Sequence, residues 1–149
     1  MKHIKLFVGR IIFWLGRPLW RMLTRGTVRT RVAVIVGNDL LLTKATLGDG
    51  SWGLPGGGVH KGEDILVAAC RELREEVGIR LGPKQCRTIA SEMIDTNHMA
   101  YTAVFIVAKL AERPATTSSL EIAECRWVSL SKVADWPIDR STSRLLELL

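Results

Sequence analysis

Residues 57–79 read GGVHKGEDILVAACRELREEVGI, and this stretch carries the most specific pattern in the chain. Asp64 is suited to cap the start of a helix and Gly78 to end one, so the pattern predicts a helix that runs to Val77. Apolar side chains recur every four residues along it and would form its buried stripe: Ile65, Ala69, Leu73 and Val77.

Three carboxylates stand on this predicted helix, at Glu72, Glu75 and Glu76. Side chains at positions i, i+3 and i+4 share one face, which here lies opposite the apolar stripe. Like charges at this spacing repel each other, and carboxylate oxygens are the ligands that hard divalent cations prefer. A solvated acidic face is the alternative, because exposed Glu is common on helices.

The residues around the carboxylates decide between these alternatives, because they resemble the Nudix hydrolase family. The Nudix box requires Gly, five residues, Glu, seven residues, Arg-Glu, an apolar residue, one residue, Glu-Glu, one residue, Gly and a final apolar residue. Chance agreement at a given start is roughly one in a billion at ordinary residue frequencies. Every position of the box is filled here: Gly57, Glu63, Arg71, Glu72, Leu73, Glu75, Glu76, Gly78 and Ile79.

The resemblance covers about residues 30–149 and implies an α/β fold, the family's α/β/α sandwich with a mixed β-sheet. We divide the chain into an N-terminal amphipathic helical extension, residues 1–28, and a Nudix hydrolase domain, residues 29–149. The remaining elements are read from β-branched runs and turn residues. They are a hairpin from RVAVIV (31–36) and LLLTK (40–44), extended runs near 87–94, 101–108 and 125–128, and two short C-terminal helical stretches.

The resemblance also implies a metal site and its ligands. In the family, carboxylates of the box bind the cation together with the carbonyl before the box glycine, and an acid from a distant loop commonly completes the site. Glu124 is the alternative for that distant acid. The expected cofactor is Mg²⁺, with Mn²⁺ as the alternative, and the implied ligands are Gly56, Glu72, Glu75, Glu76 and Glu121.

The implied reaction is attack of water on a phosphorus of a diphosphate linkage, with the cation neutralising the developing charge. The expected substrate is a nucleoside di- or triphosphate or a nucleotide-linked metabolite, and each product keeps a phosphomonoester. Among the catalytic residues Glu72, Glu76 and Glu121, Glu72 is the first choice for the general base and Glu121 the second. The remaining charged and turn residues of the box are expected to support its structure: Glu63, Arg71 and Gly78.

Substrate-binding residues are expected in and just before the glycine-rich loop. Gly57 and Gly58 permit a close approach of the backbone to a ligand. Trp52 is expected either to stack on a base or to pack in the core. The substrate itself stays open, because position 95, sixteen residues past the box, holds Asp rather than the Pro or Tyr of two known substrate groups.

The charge of the chain is uneven, although the net formal charge is +6. Residues 1–31 hold eight of the 21 Lys and Arg and no acid, so the remainder carries 13 basic against 15 acidic residues. We therefore expect no nucleic-acid binding by the body of the protein. Its three cysteines are far apart in sequence and are expected to be free thiols: Cys70, Cys86 and Cys125.

The first 25 residues are apolar and basic at once. Their longest uncharged run, residues 11–16, is too short for a transmembrane helix or the apolar core of a signal peptide. Pro18 predicts a break between two short helices. An amphipathic helix is predicted by an apolar side and an arginine side: Ile4, Val8, Ile11, Leu15 and Leu19 against Arg10, Arg17, Arg21 and Arg25.

Three roles are open for this extension: binding to an anionic membrane surface, packing on its own domain or across a homodimer, and organellar targeting. The first would place a cytoplasmic enzyme at the cytoplasmic face of a membrane, near lipid-linked or lipid-precursor diphosphates. Another alternative function is a non-catalytic nucleotide-binding module. Such a module would be expected to lose Glu72 or Glu76, and both are present.

Overall fold

The computed structural model describes residues 2–97 and 99–149, with the backbone alone for residues 2–6, so the side chain of Ile4 lies outside the description. Two short 3₁₀ turns accompany the main elements, at Pro83–Gln85 and Leu130–Asp135. The helices are α1 (Lys2–Leu15), α2 (Arg17–Thr24), α3 (Ile65–Val77) and α4 (Arg140–Leu148). The strands are β1 (Thr27–Val36), β2 (Asp39–Ala45), β3 (Trp52–Gly53), β4 (Arg87–Asp95), β5 (Ala100–Leu110) and β6 (Ile122–Ser129).

The strands form one mixed sheet in the order β3-β2-β1-β5-β4, with β6 paired to β2. β1 and β5 run parallel, and the other pairs are antiparallel. One face packs its apolar side chains around α3, including Val32, Val34 and Ile106. The other face packs around the C-terminal segment, including Phe105 and Leu145. The predicted α/β/α sandwich with a mixed sheet is confirmed.

The glycine-rich loop lies between two strands that diverge. β1 and β2 pair next to their connecting turn, at Ile35 with Leu40, and farther along β2 pairs with β3 instead. β1 turns its free edge to the loop: the Val32 amide donates to the Pro55 carbonyl at 2.9 Å and the Thr30 amide donates to the Gly57 carbonyl at 2.8 Å. The loop is therefore held as part of the sheet.

Helix α3 begins and ends where the sequence predicts. The Asp64 carboxylate accepts the amides of Leu66 and Val67 at 2.9 and 3.1 Å, which satisfies two otherwise unpaired donors of the first turn. Gly78 has φ +75°, the left-handed conformation that ends many helices. The stripe of Ala69, Leu73 and Val77 is buried against the sheet, with Ile65 partly buried beside it.

The N-terminal helices contact the domain. Gly9 lets α1 approach the backbone so closely that a Cβ there would lie 2.1 Å from the Thr46 carbonyl oxygen. In α2, the Thr24 hydroxyl accepts the Ala100 amide at 3.2 Å, and Arg21 pairs with Asp95 at 2.5 Å. The break between the helices falls at Gly16, and Pro18 lies in the first turn of α2, where its missing N–H costs no hydrogen bond.

The apolar side that the periodicity predicts is not the side that contacts the domain. Val8, Ile11 and Leu19 are exposed, and Leu15 keeps 80% of its surface in solvent. The inner side carries the buried Phe13 instead. The extension therefore has two apolar sides, one on the domain and one toward solvent. No helix in the described ranges is long and apolar enough to cross a bilayer.

The three cysteines are free, as the sequence predicts. Cys70 on α3 and Cys86 before β4 nevertheless lie close together, with their sulfur atoms 3.9 Å apart. Burial, followed by the neighbouring Cys70, raises the pKa of the Cys86 thiol to about 12. Cys86 is therefore an unreactive core thiol at neutral pH.

Gly9→Ala should release α1 from the domain, because overpacking against a backbone carbonyl cannot be relieved by a side-chain movement. Alanine favours the helix itself by about 1 kcal/mol, so a loss of helix would not explain the result. We expect faster trypsin cleavage within the first 25 residues. Gly48→Ala, whose Cβ would meet Ala45 at an ordinary 3.7 Å, is the control, and equal cleavage rates of the two variants would contradict the packing described here.

Candidate active site

The loop and helix α3 meet through two glycines that bring backbone and carboxylates together. Gly56 has φ +134°, and a Cβ on it would lie 2.4 Å from the Thr30 carbonyl oxygen. A Cβ on Gly57 would lie 2.5 Å from the carboxyl carbon of Glu72. Both positions therefore require glycine, the first for its conformation and the second for the approach of Glu72.

Glu72 and Glu76 are the two carboxylates that face this loop, and each is only 9% exposed. The Gly56 amide donates to Glu76 Oε2 at 2.7 Å. The pKa of Glu76 is raised to about 7, mainly by burial and also by the charges of Glu72 and Glu121, while the Gly56 hydrogen bond and Arg31 oppose the shift. Glu76 is thus a buried carboxyl whose ionised form the protein compensates only in part.

Arg71 connects the helix to the loop. Its Nε and Nη2 donate to the two carboxylate oxygens of Glu63 at 2.9 and 3.0 Å, and Nη2 also donates to the Gly58 carbonyl at 2.9 Å. Its Nη1 donates to Glu72 Oε1 at 2.7 Å. Hydrogen bonds from Arg71 and from the His60 amide lower the pKa of Glu63 to about 2. This geometry agrees with a supporting role for Glu63 and Arg71, which stays a prediction.

Glu75 is more exposed than the other two carboxylates, although Arg71 Nη1 contacts both Glu75 and Glu72. Its side chain is 51% exposed and lies 3.4 Å from Arg71 and 3.5 Å from Arg74. The helix turns Glu72 and Glu76 toward the loop and Glu75 toward solvent. The expectation that all three lie opposite the apolar stripe is therefore wrong, because a helix buried on one side also covers the edges of its polar face.

Glu121, immediately before β6, lies in the same cleft as Glu76. The Thr46 amide donates to its backbone carbonyl at 2.7 Å, which fixes this segment beside the end of β2. Glu124 lies within β6 and pairs with Arg126 at 3.6 Å. Of the two acids that the sequence leaves open, Glu121 is thus the one that the fold brings to the site.

Two arginines of β1 form the opposite side of the cleft. Arg31 is buried and donates to the Gly56 carbonyl and to the Tyr101 hydroxyl, each at 3.1 Å. Arg29 is half-buried, with its guanidinium 6.0 Å from the Tyr101 ring centre. Burial and the charge of Arg31 lower the pKa of Arg29. The Nε atoms of both arginines are buried without a hydrogen-bond partner in the described structure, so the pair suits an anion.

The cleft between these groups has a volume of about 600 Å³. It combines acidic oxygens and guanidinium groups at one end with apolar side chains at the other. The N-terminal helices, the end of β2 with the loop that follows it, and the segment before β6 form its walls. Residues that line it include Phe13, Trp20, Leu23, Arg29, Arg31, Gly56, Glu76, Met99, Leu120 and Glu121.

The expected substrate-binding residues need one correction. Trp52 lies in the core, where its ring meets Trp136 edge to face at 5.1 Å, and it does not stack on the cleft. Gly57 uses both backbone groups within the protein, since its carbonyl accepts the Thr30 amide and its amide donates to the Thr30 hydroxyl at 3.3 Å. The Gly58 carbonyl is bonded to Arg71. Gly57 therefore shapes the loop rather than donating to a ligand.

The donor set fits a hard divalent cation in its chemistry. The side chains of Glu72, Glu76 and Glu121 offer only oxygen ligands. The pKa of Glu76 is raised by its burial first, and the charges of the other two carboxylates contribute as well. Within residues 2–97 and 99–149, no three Cys, His, Asp or Glu side chains converge closely enough to form a ready-made cage. A cation here would share its coordination with the substrate, as Mg²⁺ commonly does with phosphates.

Comparisons with known proteins agree with this geometry. The family model described as the NUDIX domain matches residues 26–149. The chain belongs to the Nudix family. The Nudix hydrolase resemblance read from the box is thereby confirmed, and β1 with its two arginines falls inside the match.

Individual relatives share between about a quarter and two fifths of their aligned residues with this chain. A Mycobacterium tuberculosis protein named "Putative 8-oxo-dGTP diphosphatase 3" is 38% identical over 93 residues, which is 60% of this chain and 42% of the relative. An RNA pyrophosphohydrolase of Pelagibacter ubique is 32% identical over 59% of this chain and 65% of its own length. The MutT NUDIX hydrolase structure from Burkholderia pseudomallei aligns with a TM-score of 0.74 and 26% identity, over 84% of this chain and 98% of that one. The chain thus spans less than half of the mycobacterial relative.

Sequence reasoning missed the two arginines of this Nudix site. It counted them with the basic N-terminal residues, whereas the structure places Arg29 and Arg31 in β1. A usable signal was present, because arginines at i and i+2 at the start of a β-branched run share one face of a strand. The contribution of α1 and α2 to the cleft had no comparable signal, since it depends on tertiary packing.

Glu63→Gln should destabilise the protein at neutral pH, because it removes the charged partner of Arg71. The pKa of Glu63 is lowered from 4.5 to about 2 in the folded protein, so its contribution is fully present above pH 4.5 and is lost as the pH falls toward 2. Urea unfolding should therefore show a difference between the variant and the wild type at pH 7 that narrows toward pH 2. Glu112→Gln, on an exposed loop, should show no such pattern, and a difference that grows toward low pH would contradict the assignment.

Proposed function

We propose that this Nudix protein hydrolyses a diphosphate linkage in a nucleoside di- or triphosphate or a nucleotide-linked metabolite. The observation that carries the proposal is the cleft itself, which is lined by carboxylates together with two arginines whose Nε–H groups are buried and unpaired in the described structure. Guanidinium groups bind phosphate oxygens through paired donors. Carboxylates on the other side suit a cation that bridges the same phosphates.

The names of the two relatives share one reaction class, cleavage of a phosphoric anhydride. They differ in substrate, so we take only the class from them. The complete box favours turnover over the alternative of a non-catalytic binding module, since Glu72 and Glu76 are both present and both turned toward the cleft loop.

Each group of the cleft has a place in the proposed reaction. Arg29 and Arg31 would hold the phosphates, and Glu72 and Glu76, with the Gly56 carbonyl, would hold Mg²⁺ or Mn²⁺. When bound, the cation would neutralise charge on the phosphates and lower the pKa of a water molecule. Glu75 would stand at the outer edge of this set, because its side chain points to solvent.

The structure changes our preference for the general base. Glu72 Oε1 accepts a hydrogen bond from Arg71 at 2.7 Å, so this oxygen is already occupied within the protein. Glu121 lines the cleft on a different segment. We therefore propose Glu121 as the base and Glu72 as a ligand.

Glu76→Gln is the direct test of the proposal. It keeps the shape of the side chain and removes a charge that the cation needs, so we expect kcat to fall on the order of 100-fold or more. The measurement is product release, at several Mg²⁺ and Mn²⁺ concentrations, from a panel of nucleoside di- and triphosphates and nucleotide sugars. Glu112→Gln should behave as the wild type. Full activity of Glu76→Gln on every substrate that the wild type cleaves would refute the proposal.

A second proposal concerns the solvent side of the extension. Its exposed apolar side chains include Phe7, Ile11, Trp14 and Leu15, and the sequence before Asp39 contains no acid. Arg17 stacks on the Trp14 ring at 4.0 Å. An apolar face with arginine and tryptophan suits an anionic membrane surface, through apolar burial and charge attraction together. We propose that α1 and α2 bind such a surface.

Vesicle co-sedimentation of the full chain tests this second proposal. Leu15→Glu and Leu19→Glu should reduce pelleting with phosphatidylserine-containing vesicles several-fold, because they place a charge in the apolar face. Met93→Glu, at an exposed apolar position of β4, is the matched control. Equal pelleting of all variants would refute membrane binding. A vesicle-independent change in sedimentation coefficient would assign the face to a homodimer instead.

A further inference from the structure

The cleft has two chemically different ends. Its inner end holds the arginines and carboxylates described above. Its outer end is formed by side chains of α1, α2, the loop after β2, the start of β5 and the segment before β6. The side chains of this outer end are mainly apolar. The polar exceptions are Thr24, Thr46, Asp49 and Ser51, and the apolar ones are Phe13, Trp20, Leu23, Leu47, Met99 and Leu120.

Several of these apolar side chains stand in solvent. Leu120 is 91% exposed and Leu23 is 57% exposed, although both line the cleft. Single exposed leucines are ordinary, but several around one opening form a patch that binding would cover. Leu23 also belongs to α2, so the opening is continuous with the exposed apolar side of the extension.

Polar side chains near this opening are few, and part of their hydrogen-bonding capacity is used within the protein. The Thr24 hydroxyl donates to the Trp20 carbonyl at 2.9 Å and accepts the Ala100 amide. Asp49 accepts the Ser51 amide at 2.9 Å. The Trp20 indole N–H is buried without a hydrogen-bond partner in the described structure. Recognition of a base edge or a sugar requires several placed donors and acceptors, so the outer end suits a group that makes mainly apolar contacts.

We propose that the outer end of the cleft binds a hydrocarbon chain attached to the diphosphate, so that the substrate is a nucleoside diphosphate ester of a lipid-like alcohol. This inference rests on the proposed hydrolase function and names its substrate class. The arginines would hold the two phosphates, and the chain would leave the cleft between Leu23 and Leu120.

The reaction on such a substrate balances without a further reactant. The oxygen of water forms a bond to one phosphorus, and the bond from that phosphorus to the bridging oxygen breaks. The bridging oxygen keeps the electron pair and stays on the other phosphate, while the proton of water passes to the carboxylate base. The products are a nucleoside monophosphate and the monophosphate of the alcohol.

The experiment uses the full chain and a series of alkyl esters of one nucleoside diphosphate, at concentrations below micelle formation. Only the length of the alkyl chain varies, so the contribution of the nucleobase and the phosphates to binding is the same throughout the series. We expect KM to fall about fourfold for each CH₂ group that becomes buried, until the chain extends past the opening. We expect kcat to change little, because this contact is the same in the ground state and the transition state.

Two variants separate a binding role from a structural one. Leu23→Asn and Leu120→Asn place a polar group at the opening without touching the core, and they should flatten the dependence of KM on chain length. The KM values of the short and the long esters should converge in these variants, whereas a folding defect would change the KM of every ester by a similar factor. Met22→Asn is the control, because Met22 lies on α2 with 68% exposure and outside the cleft lining.

The outcomes distinguish this inference from the function on which it rests. If the wild type cleaves the whole series with a KM independent of chain length, the inference is wrong and the hydrolase proposal stands. If a leucine variant keeps the full chain-length dependence, the chain does not bind at this opening. If neither the series nor the free nucleotide is cleaved under any metal condition, the hydrolase proposal itself is wrong.

Discussion

The hydrogen bond from the Gly56 amide to the Glu76 carboxylate, at 2.7 Å, is the point on which this structure depends. It joins the glycine-rich loop after β3 to helix α3, so it fixes the loop beside the carboxylates of the helix. The bond can form because Gly56 adopts a backbone conformation with φ +134°, which side chains disfavour. It places a peptide dipole against a buried carboxylate, and this partly offsets the cost of burying that charge.

The network around Arg71 shows that the fold treats the acids of the box differently. One guanidinium binds Glu63, Glu72 and the Gly58 carbonyl, so a single cation fixes the loop, the helix entrance and one of the two buried carboxylates. Glu76 accepts the Gly56 amide but has no comparable cationic partner among the described residues, and burial raises its pKa. The charge of Glu72 is therefore compensated within the protein more fully than that of Glu76.

The box could be read from the sequence because its contacts are local. Asp64 and Gly78 act on the ends of one helix, and Glu63 is eight residues from Arg71, so spacing alone brings them together. Trp52 could not be assigned, because packing against Trp136 involves a residue 84 positions away. The two arginines of β1 are visible in the sequence, but their position in the cleft could not be predicted from it. That position depends on the divergence of β1 and β2. The side of the extension that contacts the domain could not be predicted either, because both sides of α1 carry apolar residues and periodicity alone does not choose between them.

The close approach of Gly9 to the Thr46 carbonyl limits which N-terminal segments this fold can accept. The helices before β1 form part of the wall of the cleft, so they cannot be exchanged as an independent module. A change at the N-terminus, whether a deletion, a fusion or a different leader, would reshape the cleft at a distance from every residue of the box. Homologues with an identical box and different N-terminal segments should therefore be expected to diverge in substrate preference while their chemistry stays the same.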